Sequence, residues 1–305
     1  MDSPGQDRLA ALAVAIVERR LGSPPSACER ATTGLSNQVF LVTHDAGGFV
    51  VRLGEEAKAV IYAKEQWAME RARAVGVPTV EVVEVGVDPS GTAFMLAKRA
   101  PGRPATDHPR RAGILGDLGA LAARLHAIRG EAFGGVFDPE CRTLGTHPSW
   151  GAFVLAELEL ERRLAVLTEH DMLPERRLGR LREILLAGAD QPPALNHGDL
   201  RLKNVLVDDD GRITALIDWE TCTFSLAPQW DLSLALHDLS IDAKEAFLAG
   251  YGIDEDGLDA IAGLVKALNV LNYAPEIERL AAADEVAEIE RHRARLGGAL
   301  DLYSF

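Results

Sequence analysis

The chain has 305 residues, a formal net charge of −14 at pH 7, and a composition that is 47% apolar and 26% charged. This length allows one or two domains, and the acidic balance argues against a nucleic-acid partner, which needs a basic face. No apolar run reaches the roughly 18 residues of a membrane span, and the three cysteines form neither a metal spacing nor a disulfide framework. We therefore expect a globular, cytoplasmic protein without a membrane partner.

The first residues predict a helix followed by a loop that could cover phosphates. Residues 9–17 form an apolar run preceded by acidic residues, unlike a signal peptide, and predict an amphipathic helix that ends near Gly22. Residues 32–38 combine turn-forming, hydroxyl and amide side chains ahead of a strand, with Ser36 and Asn37 at the tip. Such a strand–loop–strand can lay backbone N–H groups over phosphates, although an ordinary hairpin has the same pattern.

Strands and one helix continue the first hundred residues. Residues 49–53 predict a strand, and residues 64–75 predict a helix that stops at a Gly-Val-Pro sequence. Residues 80–87 and 93–97 predict two strands around a turn, and the Pro- and Gly-rich residues 98–104 end that pattern. A sheet with one helix is therefore expected.

The rest of the chain predicts mainly helices. Apolar residues from Ile114 to Ile128 recur at alternating steps of four and three, which makes one helix face, with His126 beside it. We interpret His126 as a packed, hydrogen-bonded core residue. The further predicted helices span residues 150–167, 174–186, about 258–268 and about 275–296.

The most informative pattern starts at His197-Gly198-Asp199. Asn204 follows the aspartate by five positions, and a short apolar strand, a turn rich in aspartate and a returning strand lead to Asp218. Asp199 can accept the proton of a hydroxyl group, and Asn204 and Asp218 can supply the hard oxygen ligands that Mg²⁺ prefers. Capping of turns by Asp199 and Asp218 is the alternative.

Here the chain resembles a known family. His-Gly-Asp-Leu-Arg-Leu-Lys-Asn at 197–204 and Ile-Asp-Trp-Glu at 217–220 are similar to motifs of the aminoglycoside phosphotransferase and choline kinase group. The resemblance extends from about residue 30 to about 235. It implies an α/β (α+β) protein-kinase-like fold, with a small, mainly antiparallel nucleotide-binding lobe (1–100) and a large, mainly helical catalytic lobe (101–305). It also implies that Asp199 is the catalytic base and that Asn204 and Asp218 bind Mg²⁺.

The same resemblance implies roles for residues of the predicted small lobe. Arg52 takes the place of the strand residue that contacts the α- and β-phosphates, where protein kinases have lysine. Glu65 matches the helix glutamate that pairs with it, and Glu70 competes for that role. The backbone near Lys98 and Ala100 resembles the hinge that binds adenine, and it does not distinguish ATP from GTP.

Two further residues are expected to support the catalytic loop. His197 begins the loop, and Asp231 lies in a Pro-x-x-Asp-Leu element that resembles the segment whose aspartate braces this loop by hydrogen bonds.

The acceptor is expected to be a small molecule with a hydroxyl group. Residues 232–305 contain 14 acidic and 6 basic residues, a balance of −8, which would attract a cationic acceptor, or is simply a solvated acidic surface. An aminoglycoside-like or other antibiotic is the first hypothesis. A metabolic kinase of an amino alcohol, a sugar or a choline-like metabolite is the second, and a non-catalytic nucleotide-binding protein is the third. The chain is expected to be a monomer or a homodimer.

Overall fold

A computed structural model describes residues 4–31, 38–188, 190–235 and 241–301 of the chain. The chain forms two compact units, each made of three segments. The first unit comprises Met1–Ile114, Phe137–Thr143 and Leu202–Cys222, and the second comprises Leu115–Val136, Leu144–Arg201 and Thr223–Phe305. The predicted division into residues 1–100 and 101–305 stays a prediction.

The first unit is built on a five-stranded antiparallel sheet of order β1-β2-β3-β5-β4. One helix precedes the sheet and a second follows β3. The elements of this part are α1 (Pro4–Leu21), β1 (Ala27–Arg30), β2 (Gln38–His44), β3 (Gly47–Glu55), α2 (Lys58–Ala74), β4 (Val82–Val87) and β5 (Thr92–Lys98). The predicted helix at 64–75 therefore begins six residues earlier, at Lys58.

Alternation along β3 determines what each face of the sheet contacts. Phe49, Val51 and Leu53 are buried and pack with apolar residues of α1. Arg52 points to the opposite face, where its guanidinium lies 5.1 Å from the ring centroid of Tyr62 on α2. The period of two in the sequence thus directs one charged side chain of β3 toward α2.

A hairpin completes the first unit late in the sequence. It consists of β10 (Val205–Val207) and β11 (Ile213–Leu216), paired antiparallel, and β10 also pairs with β6 (Arg103–Pro104). Asp208 caps the turn, because its Oδ1 accepts the N–H groups of Asp210 and Arg212. The hairpin predicted from the aspartate-rich turn is confirmed.

The remaining elements are mostly helices of the second unit, and α3 begins at the end of the first. Short strands pair as β7 with β8 and as β9 with β12. The elements are α3 (Arg111–Leu125), β7 (Phe137–Asp138), β8 (Thr143–Leu144), α4 (Trp150–Ala156), α5 (Leu160–Glu169), α6 (Glu175–Ala187), β9 (Ala194–Asn196), β12 (Thr223–Ser225), α7 (Gln229–Ala235), α8 (Ile241–Tyr251), α9 (Glu255–Leu271), α10 (Ala274–Ala282) and α11 (Val286–Asp301), with 3₁₀ turns at Ala105–Asp107 and Leu202–Asn204.

Two helices predicted as continuous are each broken in two. The helix predicted at 150–167 is divided into α4 and α5 at Glu159, whose φ of 51° lies in the left-handed region. The helix predicted at 275–296 is divided into α10 and α11 near Asp284, with φ of 56°. A left-handed residue ends the helical hydrogen-bond ladder, so both single-helix predictions are wrong.

Glycines let α8 lie directly on α3 inside the second unit. A Cβ atom added at Gly119 would come 2.1 Å from the Phe247 carbonyl oxygen, and one added at Gly250 would come 1.9 Å from that of Gly116. These distances are too short for any side chain, so backbone meets backbone at this crossing. Among the residues that the structure describes, no helix is long and apolar enough to cross a bilayer.

Candidate active site

The hairpin of the first unit brings Asn204 and Asp218 together. The backbone N–H of Ile217 donates to the carbonyl oxygen of Asn204 at 3.0 Å, which ties the residue before β10 to the residue after β11. Asn204 is buried, and Asp218 is half-buried with a left-handed φ of 68°. The fully buried Trp219 follows it and donates its indole N–H to the Leu216 carbonyl oxygen. A left-handed backbone conformation, as at Asp218, costs roughly 1–3 kcal/mol for a residue other than glycine, and such residues cluster at functional sites.

The predicted ion pair between β3 and α2 is confirmed. Nη1 of Arg52 lies 2.6 Å from Oε2 of Glu65, whose side chain is 1% exposed. The competing candidate, Glu70, pairs instead with Arg142 on the surface. Glu65, and not Glu70, is therefore the partner of Arg52. The contact of Arg52 with a nucleotide stays a prediction.

Two more carboxylates surround Arg52. Oε2 of Glu220 lies 4.0 Å from Nη2 of Arg52 and 3.5 Å from Nζ of Lys58, and the charge of Asp218 also acts on Arg52. Burial raises the pKa of Glu65, and the charges of Asp218 and Glu220 raise it further against the opposing effect of Arg52. Three carboxylates thus face two cationic side chains.

This donor chemistry fits a magnesium ion that is shared with a nucleotide. Asn204 and Asp218 offer an amide and a carboxylate oxygen, both hard ligands. Among the described residues, no group of three or more His, Cys, Asp or Glu side chains could hold a metal ion. An ion at Asn204 and Asp218 would therefore need phosphate oxygens or water to complete its octahedral shell, as Mg²⁺ does in kinases.

The second unit holds the His-Gly-Asp loop through Asp231. The fully buried Asp231 carboxylate accepts the backbone N–H groups of His197 at 2.9 Å and Gly198 at 2.8 Å. Burial by itself would raise the pKa of Asp231, but the hydrogen bond from His126, the charges of His126 and His197 and the Gly198 N–H outweigh it and lower that pKa. The predicted bracing contact is thus present, and Asp231 stays ionised at neutral pH.

Asp199 follows directly in this loop. Its backbone N–H donates to Nδ1 of His197 at 3.3 Å, and its side chain is 15% exposed. Arg201 donates Nε–H to Oδ1 of Asp199, a charge-assisted hydrogen bond that orients the carboxylate. His126, predicted as a hydrogen-bonded core residue, is buried and bonds to both Asp231 and Tyr251.

The other predicted nucleotide contacts are less well defined. Ser36 and Asn37 lie outside the described residues. Lys98 ends β5, where its side chain pairs with Glu81 and its backbone N–H donates to the Glu81 carbonyl oxygen at 2.8 Å. The amide of Lys98 is therefore not open to a nucleotide base, and Ala100, two residues later, is half-buried.

Sequence reasoning assigned no role to Lys58, Arg201, Glu220 and Tyr251. Arg201 and Glu220 each stand two positions after a predicted functional aspartate, and that spacing is the signal that could have found them. Lys58 reaches Glu220 across 162 positions, and Tyr251 reaches His126 across 125, so no local pattern indicates either contact.

A curated protein is similar to this chain over part of its length. A Hygromycin-B 4-O-kinase of Escherichia coli is 25% identical over 198 residues, which cover 63% of this chain and 56% of that relative. The chain thus spans just over half the length of that curated protein.

Solved structures extend the similarity over nearly the whole chain. A crystal structure of the aminoglycoside phosphotransferase APH(4)-Ia matches with a TM-score of 0.72 at 16% identity, covering 95% of this chain and 97% of the other. A thermostable mutant of the same protein, in a ternary complex with AMP-PNP and hygromycin B, gives 0.69 at 18% identity, covering 93% and 96%. The GDP complex of an aminoglycoside 2′-phosphotransferase-IIIa mutant gives 0.67 at 18% identity, covering 95% and 99%.

The predicted fold class, a kinase-like α/β fold with a small antiparallel lobe and a larger helical lobe, is confirmed by these structures. A model of the APH phosphotransferase enzyme family matches residues 27–264, well over half of the chain. The chain belongs to the phosphotransferase enzyme family.

Proposed function

We propose that this protein is a kinase that transfers the γ-phosphoryl group of ATP or GTP to a hydroxyl group of a small molecule. The observation that carries the proposal is the cluster of the first unit, in which Arg52 is held by Glu65 at 2.6 Å beside Asp218. A half-buried guanidinium between carboxylates, next to two hard oxygen ligands, suits a magnesium–triphosphate better than an uncharged ligand.

The reaction needs positioning more than covalent chemistry. The acceptor oxygen forms a bond to the γ-phosphorus, the bond from that phosphorus to the bridging oxygen breaks, and the nucleoside diphosphate leaves. The Asp199 carboxylate takes the hydroxyl proton, and the hydrogen bond from Arg201 orients that carboxylate. Arg52 binds oxygens of the α- and β-phosphates. When bound, Mg²⁺ held by Asn204 and Asp218 neutralises phosphate charge.

Further roles complete the nucleotide site in this proposal. Ser36 and Asn37, which lie outside the described residues, contact the phosphates in this proposal, and the backbone that follows the occupied Lys98 amide, near Ala100, receives the base. His197 and Asp231 support the catalytic loop. None of these side-chain or backbone contacts distinguishes ATP from GTP, so both belong in any assay.

An aminoglycoside-like antibiotic is the acceptor class that we propose first. Relatives that act on or bind hygromycin B support this choice, as does the −8 balance of residues 232–305. Part of that charge is at the exposed N-terminal end of α9, where Asp254 caps the helix and Glu255 and Asp256 begin it. Long-range attraction of a cation is screened beyond a Debye length of about 8 Å, so KM for a cationic acceptor should rise with salt more than kcat changes.

The test is turnover with a panel of acceptors. The purified protein is incubated with Mg²⁺, ATP or GTP, and hygromycin B, other aminoglycosides, choline, amino alcohols or sugars, and phosphorylated products are identified by mass. The Asp199→Ala variant is the control for contaminating kinases. Phosphorylation of a metabolite alone would select the metabolic-kinase alternative. Nucleotide binding without transfer to any acceptor or to water would contradict the proposal.

A further inference from the structure

A line of polar side chains connects α8 to the catalytic loop within the second unit. The hydroxyl of the half-buried Tyr251 lies 2.9 Å from Nδ1 of His126, the residue that follows α3, and Nε2 of His126 lies 3.0 Å from Oδ2 of Asp231 on α7. Asp231 in turn accepts the His197 and Gly198 amides. The Asp199 amide then donates to His197 Nδ1. Hydrogen bonds thus run without interruption from Tyr251 to Asp199.

The ionised Asp231 decides which ring atom of His126 carries a hydrogen. A carboxylate only accepts, so Nε2 of His126 must carry a hydrogen. The Tyr251 hydroxyl contacts the other ring nitrogen, Nδ1, and keeps its proton because burial raises the pKa of the phenol. A hydroxyl donates to Nδ1 of a neutral imidazole and accepts from Nδ1 of an imidazolium, so the contact orients the ring in either state. Tyr251 therefore fixes the ring orientation of His126, while Asp231 keeps the hydrogen on Nε2.

The backbone contact of α8 with α3 sets the reach of Tyr251. The ideal Cβ position at Gly119 lies 2.7 Å from the backbone nitrogen of Tyr251, so the chain carrying the tyrosine runs against α3. Gly119 stands seven residues, about two helical turns, before His126, which places both on one side of that helical segment. A larger residue at Gly119 or Gly250 would push α8 away and lengthen the 2.9 Å contact.

We propose that Tyr251 is a positioning residue for the catalytic loop, acting through His126 and Asp231 on the His197-Gly198-Asp199 turn. The proposal rests on the proposed kinase function for its effect on turnover. Without the hydroxyl, the His126 ring loses the hydrogen bond that orients it. The Asp231 carboxylate, which holds the His197 and Gly198 amides, is then less constrained in position. Asp199 then samples more orientations, which slows the chemical step and leaves substrate binding intact.

The experiment combines two variants in a double-mutant cycle. Tyr251→Phe removes the hydroxyl and keeps the ring. His126→Gln keeps an N–H donor for Asp231 but has no polar atom at the position of Nδ1. Tyr273→Phe is the control, because Tyr273 is a buried tyrosine of this unit that also contacts a histidine ring, that of His292.

Two readouts are measured for each protein. The first is kcat and KM with Mg²⁺-ATP and hygromycin B, or with water as acceptor where that antibiotic is not phosphorylated. The second is hydrogen exchange of the peptide that contains residues 194–201, which needs no turnover. We expect Tyr251→Phe to lower kcat about fivefold with KM within about twofold, the size that one hydrogen bond supports, and to speed exchange in that peptide about fivefold.

In the His126→Gln background the same tyrosine change should have little further effect, because the path is already cut. Equal effects in both backgrounds, or unchanged exchange in residues 194–201, would overturn the proposal. So would a lower melting temperature with unchanged kcat and exchange, as expected of a purely structural hydroxyl. If the wild-type protein transfers no phosphoryl group, the kinase proposal fails, and the exchange data still decide whether Tyr251 orders the loop.

Discussion

Glu65 and Asp231 are equally buried carboxylates in different units, and their pKa values move in opposite directions. Burial raises the pKa of Glu65, which Arg52 offsets incompletely, and Oε1 of Glu65 has no hydrogen-bond partner in the described part of the chain. Asp231 accepts N–H groups of His126, His197 and Gly198. The hydrogen bonds from His126 and Gly198, together with the charges of His126 and His197, overcome burial and lower its pKa. The partners around a buried carboxylate, more than its burial, thus decide its ionisation.

The difference separates two kinds of site. The first-unit cluster has three carboxylates against Arg52 and Lys58, and it gains from an added cation. The Asp231 network is closed by hydrogen bonds from the protein itself and needs no ligand. We therefore expect changes in the first unit to act mainly on nucleotide and metal binding, and changes in the loop held by Asp231 to act mainly on turnover.

The largest effect is expected from Asp199→Ala. A positioned base contributes on the order of 10²–10⁴-fold, so kcat should fall by about that factor. Nucleotide affinity, measured by calorimetry with Mg²⁺, should stay within about twofold, because Asp199 belongs to the second unit. Retention of more than about a tenth of kcat would show that Asp199 is not the base.

Asp218→Asn should show the opposite division of effects. Without this charged ligand, nucleotide affinity in the presence of Mg²⁺ should fall at least about tenfold, since even a change in a residue that only supports a metal ligand costs about 10–100-fold in metal affinity. The control is Asp208→Asn, the same chemical change in the same hairpin, where an amide oxygen can still cap the turn. If both variants keep the wild-type dependence on Mg²⁺, Asp218 is not a metal ligand.

A smaller effect is expected from coupling between Arg52 and Glu65. A double-mutant cycle of Arg52→Ala and Glu65→Ala, read as nucleotide affinity, should give a coupling of about 1–3 kcal/mol. The same cycle on the exposed pair Arg142 and Glu70 should give almost none, because solvent screens it. Similar coupling in both pairs would mean that burial confers no special role on Arg52.

The smallest effect is a pH dependence of opposite sign at the two carboxylates. The lowered pKa of Asp231 gives stability that is present above its unfolded value, near 3.8, and is lost as pH falls through the folded value. The raised pKa of Glu65 gives a contribution that is lost as pH rises through the folded value, above 4.5.

Denaturant unfolding between pH 2 and 8 can measure this difference. The deficit of Asp231→Asn in free energy of unfolding, relative to wild type, should be nearly constant above about pH 5 and should shrink as pH falls below about 4. The free energy of unfolding of Glu65→Gln should instead rise relative to wild type as pH increases, because the glutamine carries no charge to bury. The signs of the two slopes are compared, and slopes of the same sign would contradict the assignment.

Much of this organisation is predictable from sequence because local patterns encode it. The alternation of side chains along β3 directs Arg52 away from the apolar core between the sheet and α1. The aspartate-rich turn predicts the hairpin that brings Asn204 close to Asp218. The breaks at Glu159 and Asp284 carry no glycine or proline, so propensity gives no warning of them. The Tyr251–His126 contact depends on how α8 packs on α3, which no local period indicates.

The three-segment makeup of the first unit has a consequence for biosynthesis. A chain ending at residue 114 contains all five strands of the main sheet, with Arg52 and Glu65, but lacks both Asn204 and Asp218. At roughly 5–20 residues per second, the ribosome needs about 5–20 s more to begin the segment Leu202–Cys222. All strands of the five-stranded sheet are therefore synthesised before the separate β10–β11 hairpin of the first unit. A gene fragment that ends after the sheet encodes a basic residue for phosphate without either proposed ligand for the metal.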